Sequence, residues 1–108
     1  MQSGNLSRDH GRDPAVRRKL IRSSAFVRAA RRTIRKHPFF AQDIQAALEQ
    51  MEEDVFQSRL HTHKLKGILA GSWASSAGFD LRIVFKFVEF EGAEAILLET
   101  IGTHEEVY

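Results

Sequence analysis

The stretch DLRIVFKFVEFEGAEAILLETI, residues 80–101, decides the fold of this chain. Along residues 80–88 the side chains alternate between an apolar face, Leu81, Ile83, Phe85 and Phe87, and an opposite face, Asp80, Arg82, Val84 and Lys86. A period of two is typical of a strand that buries one face. Glu91-Gly92 supplies a turn, and residues 95–101 form a second apolar strand. The stretch therefore predicts an antiparallel hairpin.

The segments before the hairpin predict two helices. Ser23 or Ser24 is a suitable N-cap, apolar residues follow at helical spacing, and Pro38 ends the first helix. A second amphipathic pattern covers residues 40–55. Residues 17–23 and 72–77 predict short strands, and residues 1–16 a flexible leader. We expect an α+β domain over residues 17–108, in which an N-terminal helical hairpin packs on a small antiparallel sheet of three or four strands.

Composition excludes several classes of function. The 108 residues fit one domain, and the absence of cysteine excludes disulfides, thiolate zinc sites and cysteine nucleophiles. No apolar run approaches the roughly 18 residues of a membrane span. The initial MQSGNLSRDH lacks the apolar core of a signal peptide. We expect a soluble, cytoplasmic protein with no membrane partner.

Charge is divided unevenly along the chain. Residues 1–36 hold eleven basic and two acidic residues, a net charge of +9, whereas residues 37–108 hold five basic and twelve acidic residues, a net charge of −7. On the predicted first helix the basic side is formed by Arg28, Arg31, Arg32 and Arg35. Such a cluster favours a polyanion partner, because bound phosphates release counterions. A solvated helix face that pairs with the acidic half explains the pattern equally well.

Histidines are the first candidates for chemistry. His61 and His63 precede the run Lys64-Leu65-Lys66-Gly67, and His104 follows the last predicted strand. Histidine exchanges protons near neutral pH, so a pair at one sheet edge suits acid and base roles, although a histidine at a strand end is more often a surface residue. His61 and His63 also fall on one side of an extended segment. No third ligand has a recognisable spacing, so we expect no metal site.

The polar face of the first strand of the hairpin is the second candidate. Asp80, Arg82 and Lys86 share this face. A cation fixed on a rigid strand can hold a phosphate oxygen. An ordinary solvent-facing sheet surface gives the same alternation, so the pattern alone leaves both interpretations open.

Four segments, taken in order, carry a family resemblance: residues 63–67 (HKLKG), 71–73 (GSW), 78–86 (GFDLRIVFK) and 101–108 (IGTHEEVY). Together they resemble the RelE/ParE superfamily of bacterial toxins, and within it the YafQ-type messenger-RNA endonucleases. The resemblance covers residues 19–108. It implies a cytoplasmic toxin that a cognate antitoxin protein neutralises. The toxin's other partners would be the ribosome and messenger RNA, with DNA contacted only indirectly through the antitoxin.

The resemblance also implies a reaction, cleavage of messenger RNA in the ribosomal A site. A ribose 2′-OH attacks the neighbouring phosphate, one group takes its proton, another protonates the leaving 5′-oxygen, and a cation stabilises the phosphorane. No metal or organic cofactor is expected. By position in the family pattern, the resemblance implies catalytic roles for His63, Asp80 and His104, and Tyr108 would stack on a base.

The chain departs from the YafQ pattern at two places. Thr100 stands where the family has an arginine, and a further family histidine is missing from residues 75–77. We expect Arg82 to supply the missing positive charge as a fourth catalytic residue. The residues expected to bind RNA are Lys64, Lys66, Lys86 and Tyr108, together with Arg28, Arg31, Arg32 and Arg35.

Two functions without chemistry are alternatives to the endoribonuclease. A ParE-like or inactive relative would bind a protein target or an antitoxin without cleaving RNA. A nucleic-acid-binding module would need only the basic first helix. The histidine pair favours the enzyme, because a pure binding module does not need titratable groups at that edge.

Overall fold

The computed structural model describes residues 16–108. Its helices and strands are, in chain order, β1 (Leu20–Arg22), α1 (Ser24–Lys36), α2 (Phe40–Asp54), β2 (His63–Lys64), β3 (Trp73–Ala77), β4 (Leu81–Phe90), β5 (Ala93–Thr103) and α3 (His104–Val107). Single 3-10 turns at Ser58–Leu60 and Gly67–Leu69 flank β2. Apart from Val16, the leader predicted for residues 1–16 lies outside the described range. Within that range, no helix has the length and apolar character needed to cross a membrane.

Over residues 16–108, five strands form one sheet in the order β1-β5-β4-β3-β2. The α+β class is confirmed. The predicted count of three or four strands is too low, and one of the pairings is parallel. The short strand predicted within residues 17–23 is β1, but it runs parallel to β5 and so departs from the predicted antiparallel order. The additional strand is β2, which pairs with β3 and, with two residues, is too short to show an alternation in the sequence. Backbone bonds hold both short strands, such as the one that the Ile96 N–H donates to the Lys19 carbonyl at 2.9 Å.

Helix α1 begins and ends where the sequence predicts. The Ser23 hydroxyl oxygen accepts a hydrogen bond from the Phe26 N–H at 3.0 Å, which caps the first turn. His37 leaves the helical region with a φ of −140°, because the ring of Pro38 disfavours helical geometry at the residue before it. Helix α2 follows directly and completes the helical hairpin.

The core lies between this helical hairpin and one face of the sheet. It is built from Phe26 and Ala29 of α1, Ile44, Ala47 and Met51 of α2, and Leu81, Ile83, Phe85, Ile96, Leu98 and Ile101 of the long strands. Burial of this apolar surface is the main force that fixes the helices on the sheet. The opposite face of the sheet is not covered by α1 or α2.

The β4–β5 hairpin is confirmed, with one correction at its start. Glu91 and Gly92 have positive φ angles of 54° and 82°, as a two-residue turn between twisted strands requires. Asp80, however, does not belong to the strand, which begins at Leu81. Gly78 takes a φ of 73°, and residues 78–80 are used in the β3–β4 turn. Asp80 therefore lies in a turn and does not share the strand face of Arg82.

Candidate active site

The sheet face that points away from α1 and α2 carries most of the predicted site. Leu81 and Ile83 are fully buried in the core. Since side chains alternate along a strand, Arg82, Val84 and Lys86 project to the other side of β4. We call this side, defined by these three residues, the open face.

Arg82 lies at one end of the open face. It pairs with Ser76 of β3 and with Gly102 of β5, and side chains at paired positions share a face. Its guanidinium Nη1 donates hydrogen bonds to the carbonyls of Leu81 at 2.9 Å and of Phe79 at 3.4 Å. The positive charge is thereby held at the β3–β4 turn.

Asp80 is exposed in that same turn. It precedes Leu81, whose partner on β5 is Thr103, the residue immediately before His104. Asp80 and the start of α3 therefore lie at the same end of the sheet. The structure gives Asp80 no hydrogen-bond partner among residues 16–108, and its catalytic role stays a prediction.

His63 lies on the open face from the other edge of the sheet. It pairs with Ala74, which in turn pairs with Val84, so the three form a row across the strands. The His63 Nδ1 is 2.9 Å from the carbonyl oxygen of His61. A carbonyl only accepts, so Nδ1 donates, and in the neutral ring Nε2 keeps its lone pair. His63 is therefore arranged to receive a proton at Nε2.

Helix α3 follows β5 directly and begins with a reciprocal pair of hydrogen bonds. The Thr103 N–H donates to Glu106 Oε1 at 2.9 Å, and the Glu106 N–H donates to Thr103 Oγ1 at 3.3 Å. The bond from the Thr103 backbone is the largest cause that lowers the pKa of Glu106, and the charge of Lys36 adds to it. The Thr-x-x-Glu spacing of this capping box is a readable signal that the sequence analysis did not use.

Tyr108 contacts one of the two predicted catalytic histidines and shares a cavity with the other. Its ring meets the His104 ring edge to face, with the centroids 4.6 Å apart. It also lines a cavity of about 360 Å³ whose other walls are His63, Leu65, Lys66, Ile68 and Leu69. Partial burial raises the pKa of the Tyr108 phenol, and the positive charge of Arg82 acts against this increase. His63, His104 and Arg82 are thus gathered around one aromatic side chain.

The predicted RNA-binding lysines do not lie together. Lys66 lines the cavity with Tyr108. Lys64 pairs with Trp73, and its Nζ lies 5.7 Å from the centre of the Trp73 ring, on the helix-covered side of the sheet. Lys86 is on the open face but forms an ion pair of 3.4 Å with Glu99.

The arginines predicted to bind RNA form a separate surface. Arg28, Arg31, Arg32 and Arg35 are all exposed on α1, which packs on the helix-covered side of the sheet. The structure therefore does not place them on the open face with the histidines. Whether they bind RNA stays a prediction.

Glu99 on the open face was missed by the sequence analysis. A β-bulge between Val84 and Phe85 leaves Glu99 without a partner position on β4. Its carboxylate accepts a hydrogen bond from the Ser72 hydroxyl at 2.7 Å and pairs with Lys86. No spacing in the sequence signals this contact. A phosphate that binds Lys86 would therefore compete with an internal carboxylate.

Among residues 16–108, no group of three or more His, Asp or Glu side chains is arranged to hold a metal ion. No protein-family model matches the chain. No curated protein matches its sequence.

Solved structures do match the fold. A YoeB/ParE toxin from Agrobacterium tumefaciens is 16% identical, with a TM-score of 0.64, over 80% of this chain and 98% of that one. YafQ in the E. coli DinJ-YafQ toxin-antitoxin complex is 14% identical, with a TM-score of 0.66, over 86% of this chain and 99% of that one. A conserved hypothetical protein from Helicobacter pylori is 20% identical, with a TM-score of 0.57, over 84% of this chain and 99% of that one. The resemblance read from the sequence is thus confirmed for the fold, and this chain has the fold of the RelE/YafQ-type toxins.

Proposed function

We propose that this protein is the toxin of a type II toxin-antitoxin system and that it cleaves messenger RNA on the ribosome in the cytoplasm. The toxins that share its fold include one described in complex with its antitoxin, which supports a cognate antitoxin as partner. The reaction is metal-independent and uses side chains of the open face and of α3.

The observation that carries the proposal is the position of Tyr108. Its ring contacts His104 and lines the same cavity as His63. A cavity lined by Tyr108, the cationic Lys66 and His63, with His104 against the Tyr108 ring, fits an unstacked nucleotide and its phosphate. Two titratable imidazoles around one nucleotide site meet the requirement for a base and an acid.

The hydrogen bond at His63 assigns the roles of the two histidines. His63 Nε2 takes the proton of the ribose 2′-OH, because Nδ1 is occupied as a donor to the His61 carbonyl. The 2′-oxygen then bonds to phosphorus, and the bond from phosphorus to the 5′-oxygen breaks. The protonated His104 gives its proton to this leaving oxygen. The products are a 2′,3′-cyclic phosphate and a 5′-hydroxyl, and the two histidines end in exchanged protonation states.

Arg82 stabilises the charge of the phosphorane from the open face. Its guanidinium offers further N–H groups beyond the Nη1 that binds the turn carbonyls. Tyr108 stacks on a base, and Asp80 lies at the same sheet end as His104 to orient the substrate or a histidine. Electrostatic stabilisation of this kind is commonly the largest single contribution to catalysis.

The test is single-turnover cleavage of a message on programmed ribosomes, with the 5′ ends of the products mapped. His63→Gln and His104→Gln should each reduce the rate by ~10²–10⁴-fold, as the loss of a general base or acid does. His37→Gln is the matched control, because His37 is exposed at the end of α1 and lies outside the cavity. A reduction of less than threefold for either active-site variant would remove that histidine from the mechanism.

A function in protein binding without cleavage is favoured by one observation. Ile68 and Phe79 are exposed to 102% and 97%, and large exposed apolar side chains are typical of interaction surfaces. If the wild-type protein arrests growth without cutting any translated message, this alternative replaces the endoribonuclease. Ile68→Ser and Phe79→Ser would then relieve the growth arrest.

A further inference from the structure

Helix α3 and the residue that follows it carry His104 and Tyr108 of the proposed site, but the helix is too short to be stable alone. It has four residues, His104–Val107, and Tyr108 follows it. An isolated helix shorter than ~12–15 residues is marginal in water, because its first turn fixes several residues for one hydrogen bond. The positions of His104 and Tyr108 must therefore depend on contacts outside the helix itself.

The capping box supplies the first of these contacts. Thr103 and Glu106 exchange the two hydrogen bonds of 2.9 and 3.3 Å described above. They satisfy backbone N–H groups that a four-residue helix cannot satisfy internally. A third bond, from the Tyr108 N–H to the His104 carbonyl at 3.1 Å, closes the same turn and joins the two ring-bearing residues.

Gly102 lets the turn pack closely on β5. A Cβ atom at this position would lie 2.8 Å from Glu106 Oε1, 3.1 Å from the Glu106 Cβ and 3.2 Å from the Val107 Cγ1. The first distance is shorter than real Cβ contacts, and the other two are tight. A larger residue at Gly102 would displace the Glu106 carboxylate from the Thr103 N–H and force the Glu106 Cβ and the Val107 side chain to shift, which weakens the turn that holds His104.

Helix α1 contacts the same carboxylate from the other side. Lys36 Nζ is 3.8 Å from Glu106 Oε2, and Arg32 also lowers the pKa of Glu106 through its charge. Both side chains of the ion pair are more than half exposed, so it contributes little by itself. Its effect is to direct the carboxylate toward α1 while the capping box holds the backbone.

We propose that Gly102, Thr103, Glu106 and Lys36 form a clasp that positions His104 and Tyr108 for RNA cleavage. The inference rests on the proposed function for its catalytic part. Thr103 and Glu106 are positioning residues, because they act through the two rings and do not contact the reacting atoms. Without the clasp, α3 frays and the His104 ring loses its edge-to-face contact with Tyr108. Tyr108 then no longer lines the cavity.

The geometric part is tested by titrating the Tyr108 phenol. Tyr108 is the only tyrosine in the sequence, so the ultraviolet absorbance change of tyrosine ionisation reports on this residue alone. Burial raises its pKa in the intact protein. Thr103→Ala should lower that pKa toward the ordinary value of 10.0. Thr103→Ser keeps the hydroxyl group, so the Tyr108 phenol should keep its raised pKa in this variant. An unchanged phenol pKa in Thr103→Ala would overturn the clasp.

The catalytic part is tested by kinetics of the same variants. Thr103→Ala should reduce kcat by about fivefold to tenfold, the factor by which a lost N-cap shifts a local equilibrium, with a smaller change in KM. Gly102→Ala should act in the same direction. Glu106→Ala should act in the same direction as Thr103→Ala, because it removes the carboxylate that accepts from the Thr103 N–H. Glu105→Ala is its matched control, since Glu105 is exposed on the same turn, and it should change neither kcat nor the phenol pKa.

Two further outcomes separate the inference from the proposed function. Circular dichroism melting shows whether a variant is folded, and Thr103→Ser provides a folded comparison if Thr103→Ala is not. A wild-type protein that does not cleave RNA refutes the proposed function, whatever the titration gives. Full kcat in a Thr103→Ala variant whose phenol pKa has fallen refutes the role of the clasp in catalysis.

Discussion

Replacing Gly78 with alanine perturbs the β3–β4 turn, which contains Asp80. Gly78 has a φ of 73°, where a residue with a Cβ is destabilised by about 1–2 kcal/mol. The added Cβ would also lie 2.6 Å from Asp43 Oδ2 and 3.3 Å from the Asp43 Cβ, so the Asp43 side chain must move. Asp43 is exposed, so its side chain can rotate away, and holding it off its preferred rotamer costs about 0.5–1.5 kcal/mol. The two effects sum to about 1.5–3.5 kcal/mol, a large part of the ~5–15 kcal/mol that stabilises a domain.

The assay is thermal unfolding followed by circular dichroism. Since Tm falls by ~4–8 °C for each kcal/mol of lost stability, Gly78→Ala should lower Tm by roughly 15 °C. The matched control is Gly71→Ala, because Gly71 also has a positive φ, of 97°, but a Cβ there meets nothing within 4 Å. Its positive φ alone costs about 1–2 kcal/mol, so Gly71→Ala should lower Tm by roughly 9 °C, within a range of about 4–16 °C.

A double variant isolates the contact with Asp43. An Asp43→Ala background removes the carboxylate and leaves only the Cβ contact of 3.3 Å, so Gly78→Ala should cost nearly as little as Gly71→Ala does. Equal destabilisation by Gly78→Ala and Gly71→Ala in the wild-type background would refute the packing argument. RNA cleavage, measured where all variants are folded, should fall in Gly78→Ala, because the turn carries Asp80 and the Phe79 carbonyl that binds Arg82.

Three further outcomes are expected. Arg82→Lys should lose most cleavage activity, because an ammonium cannot bind two phosphate oxygens as a guanidinium does, and Thr100→Arg should partly restore it in single-turnover assays. Neutralising Arg31 and Arg35 together should make the salt dependence of ribosome binding less steep by about two units, and an unchanged slope would mean that α1 does not contact RNA. The lowered pKa of Glu106 means that its stabilising contribution is complete above about pH 4.5 and is lost as the pH falls further. Urea unfolding at neutral and acid pH should show this loss in the wild type and not in Glu106→Gln.

Several features were determined by the sequence alone because their signals are local. The alternation in residues 80–88 predicts β4, the Glu91-Gly92 pair predicts its turn, and Ser23 with Pro38 marks the ends of α1. Each signal depends on the backbone geometry of a few consecutive residues. The motif order was also enough to indicate the toxin fold, which the solved structures confirm.

Other features were decided only by the tertiary structure. The pairing of β1 with β5 and of β2 with β3 uses backbone groups, which nearly every residue offers, so no side-chain pattern announces it. Asp80 lies outside β4 because the positive φ at Gly78 places the β3–β4 turn at residues 78–80. His63 and His104 are distant in sequence, but His104 contacts the Tyr108 ring and His63 lines the same cavity as Tyr108, because a capped turn of four residues packs on Gly102. Contacts between distant residues depend on how whole elements pack, and that information is not contained in any short segment of the chain.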